Sequence, residues 1–484
     1  VRICLIIPPS SFLMDEKVFM ALGILKVATS LERAGHIVDM LDLSGVKNYV
    51  DVIGDYLTLR PETKKFGVTA TSPQMPAALN ILKRLSGHGT RILGGPHATL
   101  THAAIKKSTR AAAAMERLFQ YAEVIVAGDG EDAIHQALLM DRGLVNADDP
   151  KSALFLTHKG FEESGWPARH LIDVSSYHYQ IDGAPAASMI HQLGCPMSCS
   201  FCAGRNSAFL RRIRLRSSEN AVAEMVHLYD TYGFTAAMAM DDELNINRSM
   251  VDLMRQLKAA ADERGIQWKL RGFIKAELFT DEQAEAMYGA GFRQILIGFE
   301  SADERILLNI QKNATVADNT RAVKIAHNAG LKVKALMSTG HAGESEDTIR
   351  CIRDWLVDVK PSDFDCTIIT PYPGSPYYDD AVTMPDGSWC YTAPKSGDRL
   401  YMHDVDFTTE AQFYKGQPGS YISHVWTDHI SPERLVEMRD WVENEVRLEL
   451  GIPFYHTGQS FEHSMGAGGS FLPKTILNST DATQ

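Results

Sequence analysis

Nowhere in the 484 residues is there a run of about 18 apolar side chains, so no transmembrane helix is expected. The apolar part of Val1–Pro9 is too short for a secretory leader and reads instead as a buried first strand ended by Pro8 and Pro9. Basic charge is in deficit: 48 Lys and Arg stand against 60 Asp and Glu, a formal net charge of −12. That excludes a general nucleic-acid binder, which needs a basic face to neutralise phosphates. Cysteine is scarce and odd in number, at seven, which argues against a disulfide framework and makes a reducing cytoplasm the expected compartment. There is no short tandem repeat and no extended charge block. A 45% hydrophobic and 22% charged composition describes an ordinary globular chain, long enough for roughly three domains.

Four cysteines, Cys4, Cys351, Cys366 and Cys390, are scattered, and those in strand-like runs (Cys4, Cys366) read as inert buried thiols. The other three, Cys195, Cys199 and Cys202, lie within eight residues.

Residues 1–145 alternate apolar runs with helical patterns. Strands are expected at Ile3–Ile7, Val38–Leu43, Lys65–Ala70, Thr90–Leu93 and Glu123–Ala127, with helices such as Phe19–Ala34 and Ala77–Leu85 between them. Regular alternation implies right-handed crossovers and a parallel, Rossmann-like α/β sheet, whose ligands bind at the carboxyl ends of strands. Those ends carry Thr71-Ser72-Pro73-Gln74-Met75, Gly94-Gly95-Pro96-His97 and Gly128-Asp129-Gly130-Glu131. Residues 146–185 read as a connector. Residues 186–376 hold a second series, with strands expected at Ala187–Leu193, Ala236–Met240, Trp268–Phe273, Gln294–Phe299, Val333–Met337 and Cys366–Thr370. Six β/α units predict a partial, TIM-like barrel. Residues 377–484 are loop-rich, with one clear helix at Pro432–Leu450 and a tail after Gly466 expected to be mobile.

The Cys-x3-Cys-x2-Cys loop follows directly on a predicted strand. Three thiolates in so short a loop suit a soft metal centre. Structural zinc usually takes four protein ligands, yet there is no second Cys-x2-Cys and the nearest histidine, His191, sits in the strand. Three ligands on a four-iron cluster leave one iron open to substrate.

This loop, ahead of a six-unit β/α series, resembles the radical S-adenosylmethionine (radical SAM) superfamily over roughly residues 186–375. The resemblance implies a 4Fe-4S cluster on Cys195, Cys199 and Cys202. Phe201 matches the aromatic near the adenine of SAM, and Asp241-Asp242-Glu243 match the polar groups that hold the methionine ammonium. Arg271 is the expected partner of the methionine carboxylate. Glu300 and Ser301 resemble the ribose-contacting segment, Gly340 follows the fifth strand, and Tyr372 lies in the segment bordering the adenine. Plainer readings exist: helix N-caps at Asp241–Asp242 and at Glu300–Ser301, a surface ion pair at Arg271, a turn glycine at Gly340.

Placed before such a core, the N-terminal sheet resembles the cobalamin-binding domain of cobalamin-dependent radical SAM enzymes. Gly94, Gly95, Gly128 and Gly130, with Glu131 and His97, would then line the cobalamin site, and Thr71, Ser72 and Gln74 would face the cobalt. Read plainly, Thr71–Met75 is a strand-to-helix turn and His97 a loop histidine. The Asp-x-His-x-x-Gly motif that gives cobalt a histidine elsewhere is absent: none of the 17 histidines has Asp two positions earlier. The resemblance implies a methyltransferase acting on an unactivated carbon of a small-molecule substrate through a 5′-deoxyadenosyl radical and methylcobalamin. It also implies an electron donor such as flavodoxin or ferredoxin, with neither nucleic acid nor membrane as partner. Rearrangement or cyclisation without methyl transfer is the alternative, and a non-catalytic sensor the alternative of another class. Tyr401, His403, Asp404, Asp406, His424, Trp426, Asp428, His429 and His463 are expected to help cover the substrate pocket.

Overall fold

A computed structural model describes residues 1–10, 15–411, 421–454 and 472–481. The N-terminal strands are β1 (Arg2–Ile7), β2 (Ile37–Asp42), β3 (Lys65–Thr69), β4 (Thr90–Gly94), β5 (Val124–Gly128) and β6 (Gly143–Ala147). They pair in parallel in the order β2-β1-β3-β4-β5-β6. Their near-continuous apolar runs follow from cover on both faces. Leu5, Ile92 and Val126 pack in one core and Ile6, Leu93 and Ile125 in the other. The strand order reverses between β1 and β3, and there Gln74 Nε2 donates to the Pro8 carbonyl at 3.0 Å.

The second sheet begins with β7 (Gln180–Ile181) and β8 (Ala184–Met189). A small ladder, β9 (Gln192–Leu193) with β10 (Arg214–Leu215), brackets the cysteine loop. The sheet continues through β11 (Ala236–Ala239), β12 (Lys269–Ile274), β13 (Phe292–Glu300), β14 (Lys332–Thr339) and β15 (Asp363–Ile368). Six strands run parallel from β8 to β15, and β7 caps one edge antiparallel, leaving an open half-barrel. Leu270 and Ile274 on β12 pack into the helix-covered core, so Arg271 and Phe273 face the inner side.

Three expectations are corrected. The strand expected at Ala187–Leu193 leaves the sheet after Met189, because the Asp241 carboxylate takes the backbone N–H groups of His191 and Gln192. The loop-rich region builds an antiparallel sheet of β16 (Val382–Thr383), β17 (Trp389–Thr392), β18 (Arg399–Met402) and β19 (Val425–Trp426). The tail expected to be mobile returns at residues 472–481, where β20 (Leu477–Ser479) pairs antiparallel with β2 and Ser479 Oγ donates to Asp39.

The two sheets meet through specific contacts. Arg214 Nη1 lies 2.6 Å from Asp129 Oδ2, with both side chains buried. Asp148 accepts from Ser207 Oγ at 2.7 Å and Phe209 N at 2.6 Å. Among the described residues no helix is long and apolar enough to cross a membrane.

Candidate active site

The cysteine loop is held from several sides. Cys195 N donates to the Leu210 carbonyl at 2.9 Å and Ser200 N to the Ile310 carbonyl at 2.8 Å. Arg211 donates to the Pro196 and Met197 carbonyls, each at 2.7 Å. Gly194 has φ +88°, and a Cβ there would lie 2.0 Å from the Arg212 carbonyl oxygen, so only glycine fits. Among the described residues no three ligating side chains close on a single metal ion, yet the three thiols are near enough to influence one another's ionisation. That spacing suits a multi-iron cluster better than one ion. Burial pushes the Cys195 thiol up to about 11 and Cys202 to about 12, which argues against free nucleophilic thiolates. Bound cations would deprotonate such thiols.

The carboxylates after β11 divide their work. Asp241, fully buried, holds the backbone N–H of His191 at 2.6 Å, its ring Nδ1 at 2.8 Å and the N–H of Gln192. It is neither an N-cap nor open to a ligand: it anchors the chain entering the loop. Asp242 accepts from Gly194 N at 2.7 Å and remains reachable by solvent. Glu243 has a buried Oε2 without a hydrogen-bond partner, and burial raises its carboxyl to about 7. An orphaned buried carboxylate oxygen suits an incoming cation.

Two buried lysines oppose it, and sequence reasoning missed both. Lys275 directly follows β12 and lies 2.6 Å from Glu277. Lys312 lies 3.2 Å from Glu300. Its neighbours Gln311 and Asn313 sit at positive φ and reach back to Ser200 Oγ at 2.9 Å and Ser198 Oγ at 3.3 Å. Glu300 is itself left-handed, with φ 68°, at a bulge in β13, and it also accepts from Ser338 Oγ at 2.8 Å. The next helix is capped by Asp303, so Glu300 and Ser301 are not its N-cap. Ser301 is buried, its Oγ accepting from Asp303 N at 3.2 Å.

Phe201 packs against His341 with centroids 5.5 Å apart, and His341 Nε2 meets Ser338 Oγ at 2.8 Å. Gly340, at φ +86°, brings the backbone against Val425 of β19, which a Cβ would meet at 2.9 Å. Arg271 is not a surface ion pair: its Nη1 donates to Tyr179 Oη at 2.7 Å and its buried Nε lacks a partner. It lies three residues below the end of β12, lower on the inner wall than Lys275.

At the carboxyl edge of the first sheet is a cavity of about 210 Å³. Its lining includes Gly94, Gly95, Gly128, Gly130 and Glu131, with Ile190, Leu193 and Phe209 from around the cysteine loop. It also includes Gly23, in the helix Leu22–Arg33, and Gly67, in β3, which sequence reasoning missed, although a glycine inside a strand pattern, as at Gly67, signals close approach. Thr71, Ser72, Gln74 and His97 are not in this lining. Thr71 N donates to Gln74 Oε1 at 3.0 Å, and Ser72 Oγ meets His97 Nδ1 at 2.9 Å. His97 is buried, not a free loop histidine, and burial lowers it to about 4. It packs edge-on to Phe407 at 5.7 Å, and Phe407 stacks on Tyr372 at 5.4 Å, joining the two halves.

The residues expected to cover a pocket largely partner one another. Tyr401 stacks on Trp426 at 5.8 Å, His403 lies 4.6 Å from Trp426, and Asp428 pairs with Arg399 at 2.7 Å. Asp404 lies 3.5 Å from Arg110, Asp406 accepts from Thr408, and His424 gives its carbonyl to His403 N. His429 N donates to Thr427. His463 lies outside the described residues.

Residues 189–356 match the Radical SAM superfamily. This segment is a radical SAM domain. The chain is similar to an anaerobic magnesium-protoporphyrin IX monomethyl ester cyclase of Cereibacter sphaeroides, 23% identical across 69% of this chain and 57% of the cyclase. It is also similar to a hopanoid C-3 methylase of Methylococcus capsulatus, 24% identical across 75% of this chain and 69% of the methylase. Among solved structures it resembles the radical SAM methyltransferase TsrM of Kitasatospora setae, determined with cobalamin and a 4Fe-4S cluster bound. That likeness has a TM-score of 0.60 at 17% identity and covers 81% of each chain, which shows a shared fold. The chain thus spans a little over half the length of the cyclase it matches. The cysteine loop, Asp241–Glu243, Arg271, Glu300 and Gly340 all lie within the radical SAM domain. Tyr372 and the glycine-lined cavity's sheet lie outside it.

Proposed function

We propose that the chain is a cobalamin-dependent radical SAM enzyme that methylates an unactivated carbon of a small-molecule substrate. One observation carries this reading: the glycine-lined cavity and the three-thiol loop share a wall, formed by Ile190, Leu193 and Phe209. The residues present fit each cofactor. The thiols suit a cluster, the orphaned Glu243 oxygen suits the ammonium of SAM, and the apolar cavity over Gly67 and Gly94 suits part of a large organic cofactor. When bound, cluster and SAM supply hydrogen abstraction by a radical, and cobalamin supplies the methyl group.

The chain's own residues bind and orient. Cys195, Cys199 and Cys202 would hold the cluster, and Asp241 fixes the loop that carries them. Glu243 and Asp242 would orient the SAM ammonium, with Lys275 or Lys312 as the cation for its carboxylate. Phe201 against His341 would offer an apolar face to the adenine. Arg271, lower on the inner wall and with a free N–H, is then assigned to an acidic group of the substrate. Thr71 and Gln74, at the strand-order reversal, remain the candidates to approach cobalt.

The test is anaerobic reconstitution with iron, sulfide and hydroxocobalamin, then SAM labelled in its methyl group and a panel of metabolites. Retained cobalt, 5′-deoxyadenosine and label in a product support the reading. Loss of all cobalt on desalting would replace it with a cobalamin-free radical SAM enzyme. The similarity to cyclases supports a second reading, cyclisation without methyl transfer. A mass change in substrate without label would select it.

A further inference from the structure

Taking the chain as a radical SAM enzyme of a small molecule, on which this rests, we propose that the inner wall of the half-barrel selects a carboxylic acid with an apolar body. Arg271 grips its carboxylate, and a carbon remote from that group is presented to SAM. The alternation along the strands defines this wall. On β12, Leu270 and Ile274 enter the helix-covered core, while Arg271 and Phe273 face inward and are half-buried. On β13 and β14, Ile295 and Val333 go to the core, while Gln294 and Leu336 face inward, also half-buried. Solvent therefore reaches a concave face that carries a guanidinium, an amide and apolar side chains. Arg271 is arranged for a planar acid. Its Nη1 donates to Tyr179 Oη at 2.7 Å, which leaves the edge formed by Nε and Nη2. The Nε is buried and has no hydrogen-bond partner, and Nη2 has none among the described residues. Two parallel N–H groups form the fork that a carboxylate fills with both oxygens. Gln294 stands beside Arg271 in the strand register, and Tyr179 Oη, having accepted, keeps its own hydrogen to donate.

Above this polar step the wall turns apolar. Phe273 and Leu296 pair in register on β12 and β13, and Leu336 lies on the next strand. Lys334, beside Leu296, adds no free charge, because Asp363 at 2.9 Å and Asp365 at 3.0 Å hold it. Higher still stand Lys275 and Lys312, the two cations that act on the Glu243 carboxyl. Lys275 lies four residues beyond Arg271, a rise of about 13 Å in strand geometry. The ammonium and carboxylate of SAM sit on one carbon, so a SAM whose ammonium meets Glu243 cannot also reach Arg271. The acid at Arg271 therefore belongs to another molecule, and the span sets the reacting carbon several bonds from its carboxyl carbon. A phosphate, with three oxygens and up to two charges, would meet one cation and two neutral donors, a poorer match than a single carboxylate.

The experiment uses the reconstituted full chain and labelled decanoate, decanol and decyl phosphate as probes. Equilibrium dialysis in the presence of SAM measures binding, and 5′-deoxyadenosine is measured in parallel after reduction with dithionite. Wild type should bind decanoate about tenfold or more tightly than decanol or decyl phosphate. Arg271→Gln should lose this preference, and Arg271→Lys, which keeps the charge but not the fork, should restore it only in part. Phe273→Ser should weaken decanoate and decanol alike, about tenfold, and keep the preference. Iron content and SAM affinity should stay at the wild-type level in all three variants, which separates a lost contact from a lost fold. Equal binding of acid and alcohol by wild type, tighter binding of decyl phosphate, full decanoate binding by Arg271→Gln, or SAM affinity that falls in Arg271→Gln overturns the proposal. A wild type that makes no 5′-deoxyadenosine overturns instead the enzyme reading on which it rests.

Discussion

The carboxylate of Asp241 holds His191 twice, at its backbone N–H (2.6 Å) and at its ring Nδ1 (2.8 Å). This link turns the chain out of the sheet two residues after Met189 and aims it into the cysteine loop. Asp241→Ala would strand two backbone donors and a ring nitrogen in a buried site, at a cost on the order of 3 kcal/mol. Iron and sulfide content after reconstitution should fall together with Tm. Full iron loading in this variant would show that the loop is shaped without Asp241.

Glu243 makes the opposite prediction. Its orphaned oxygen does nothing for the loop, so Glu243→Gln should leave iron content unchanged. SAM binding should weaken by about ten- to a hundredfold, the worth of one charge-assisted hydrogen bond. Calorimetry with SAM on the cluster-loaded protein measures it. Unchanged affinity would move the ammonium site to Asp242.

The cavity glycines are not equivalent. Gly95 and Gly128 have positive φ, and a Cβ on either would strike backbone, at 2.7 Å from Ala70 N and 2.3 Å from the Ala147 carbonyl carbon. Valine at either position should damage the fold. Gly94 differs: its Cβ would meet Val126 at 3.8 Å, an ordinary contact, on the cavity wall. Gly94→Val should therefore fold and keep its iron, yet lose cobalamin affinity by about 1–3 kcal/mol, some five- to over a hundredfold. Retained cobalt after desalting is the measurement. Wild-type retention would place cobalamin elsewhere.

These contrasts mark where the sequence is readable. The parallel strands are legible because cover on both faces leaves continuous apolar runs, such as Ile3–Ile7, cut by Pro and Gly. The cysteine loop is legible because its spacing is local. Lys275 and Lys312 are not, since a lysine is by default a surface residue and only neighbours distant in sequence bury it. Gly23 is not, because a missing side chain on a helix sets up no periodicity, whereas Gly67 interrupts an apolar strand run and is there to be read. The strand Leu477–Ser479 is three residues long, two of them polar, and carries no pattern until Asp39 and Met40 stand beside it. The division of work among Asp241, Asp242 and Glu243 is set by which backbone N–H groups each can reach, and that is decided in three dimensions.

The last prediction concerns the brace behind the loop. Glu224 is buried on the helix Ser218–Tyr232, with Arg169 of the connector at 2.7 Å and Arg216 at 2.5 Å. Burial alone would raise its carboxyl, but the two guanidiniums more than reverse this and leave it below the ordinary value of 4.5. A depressed carboxyl contributes stability that is fully present above the unfolded-state value and is lost as pH falls through the folded-state value. Stability should thus be flat in this group above about pH 5 and should decline below about pH 4. Glu224→Gln would leave two buried guanidiniums without their counter-charge, costing about 3–5 kcal/mol. Urea titrations at pH 7 and pH 4 measure both effects. The gap between wild type and variant should be widest at pH 7 and should narrow in acid, as the wild-type carboxyl takes up its proton. A gap that widens in acid would show that Glu224 is neutral in the folded protein.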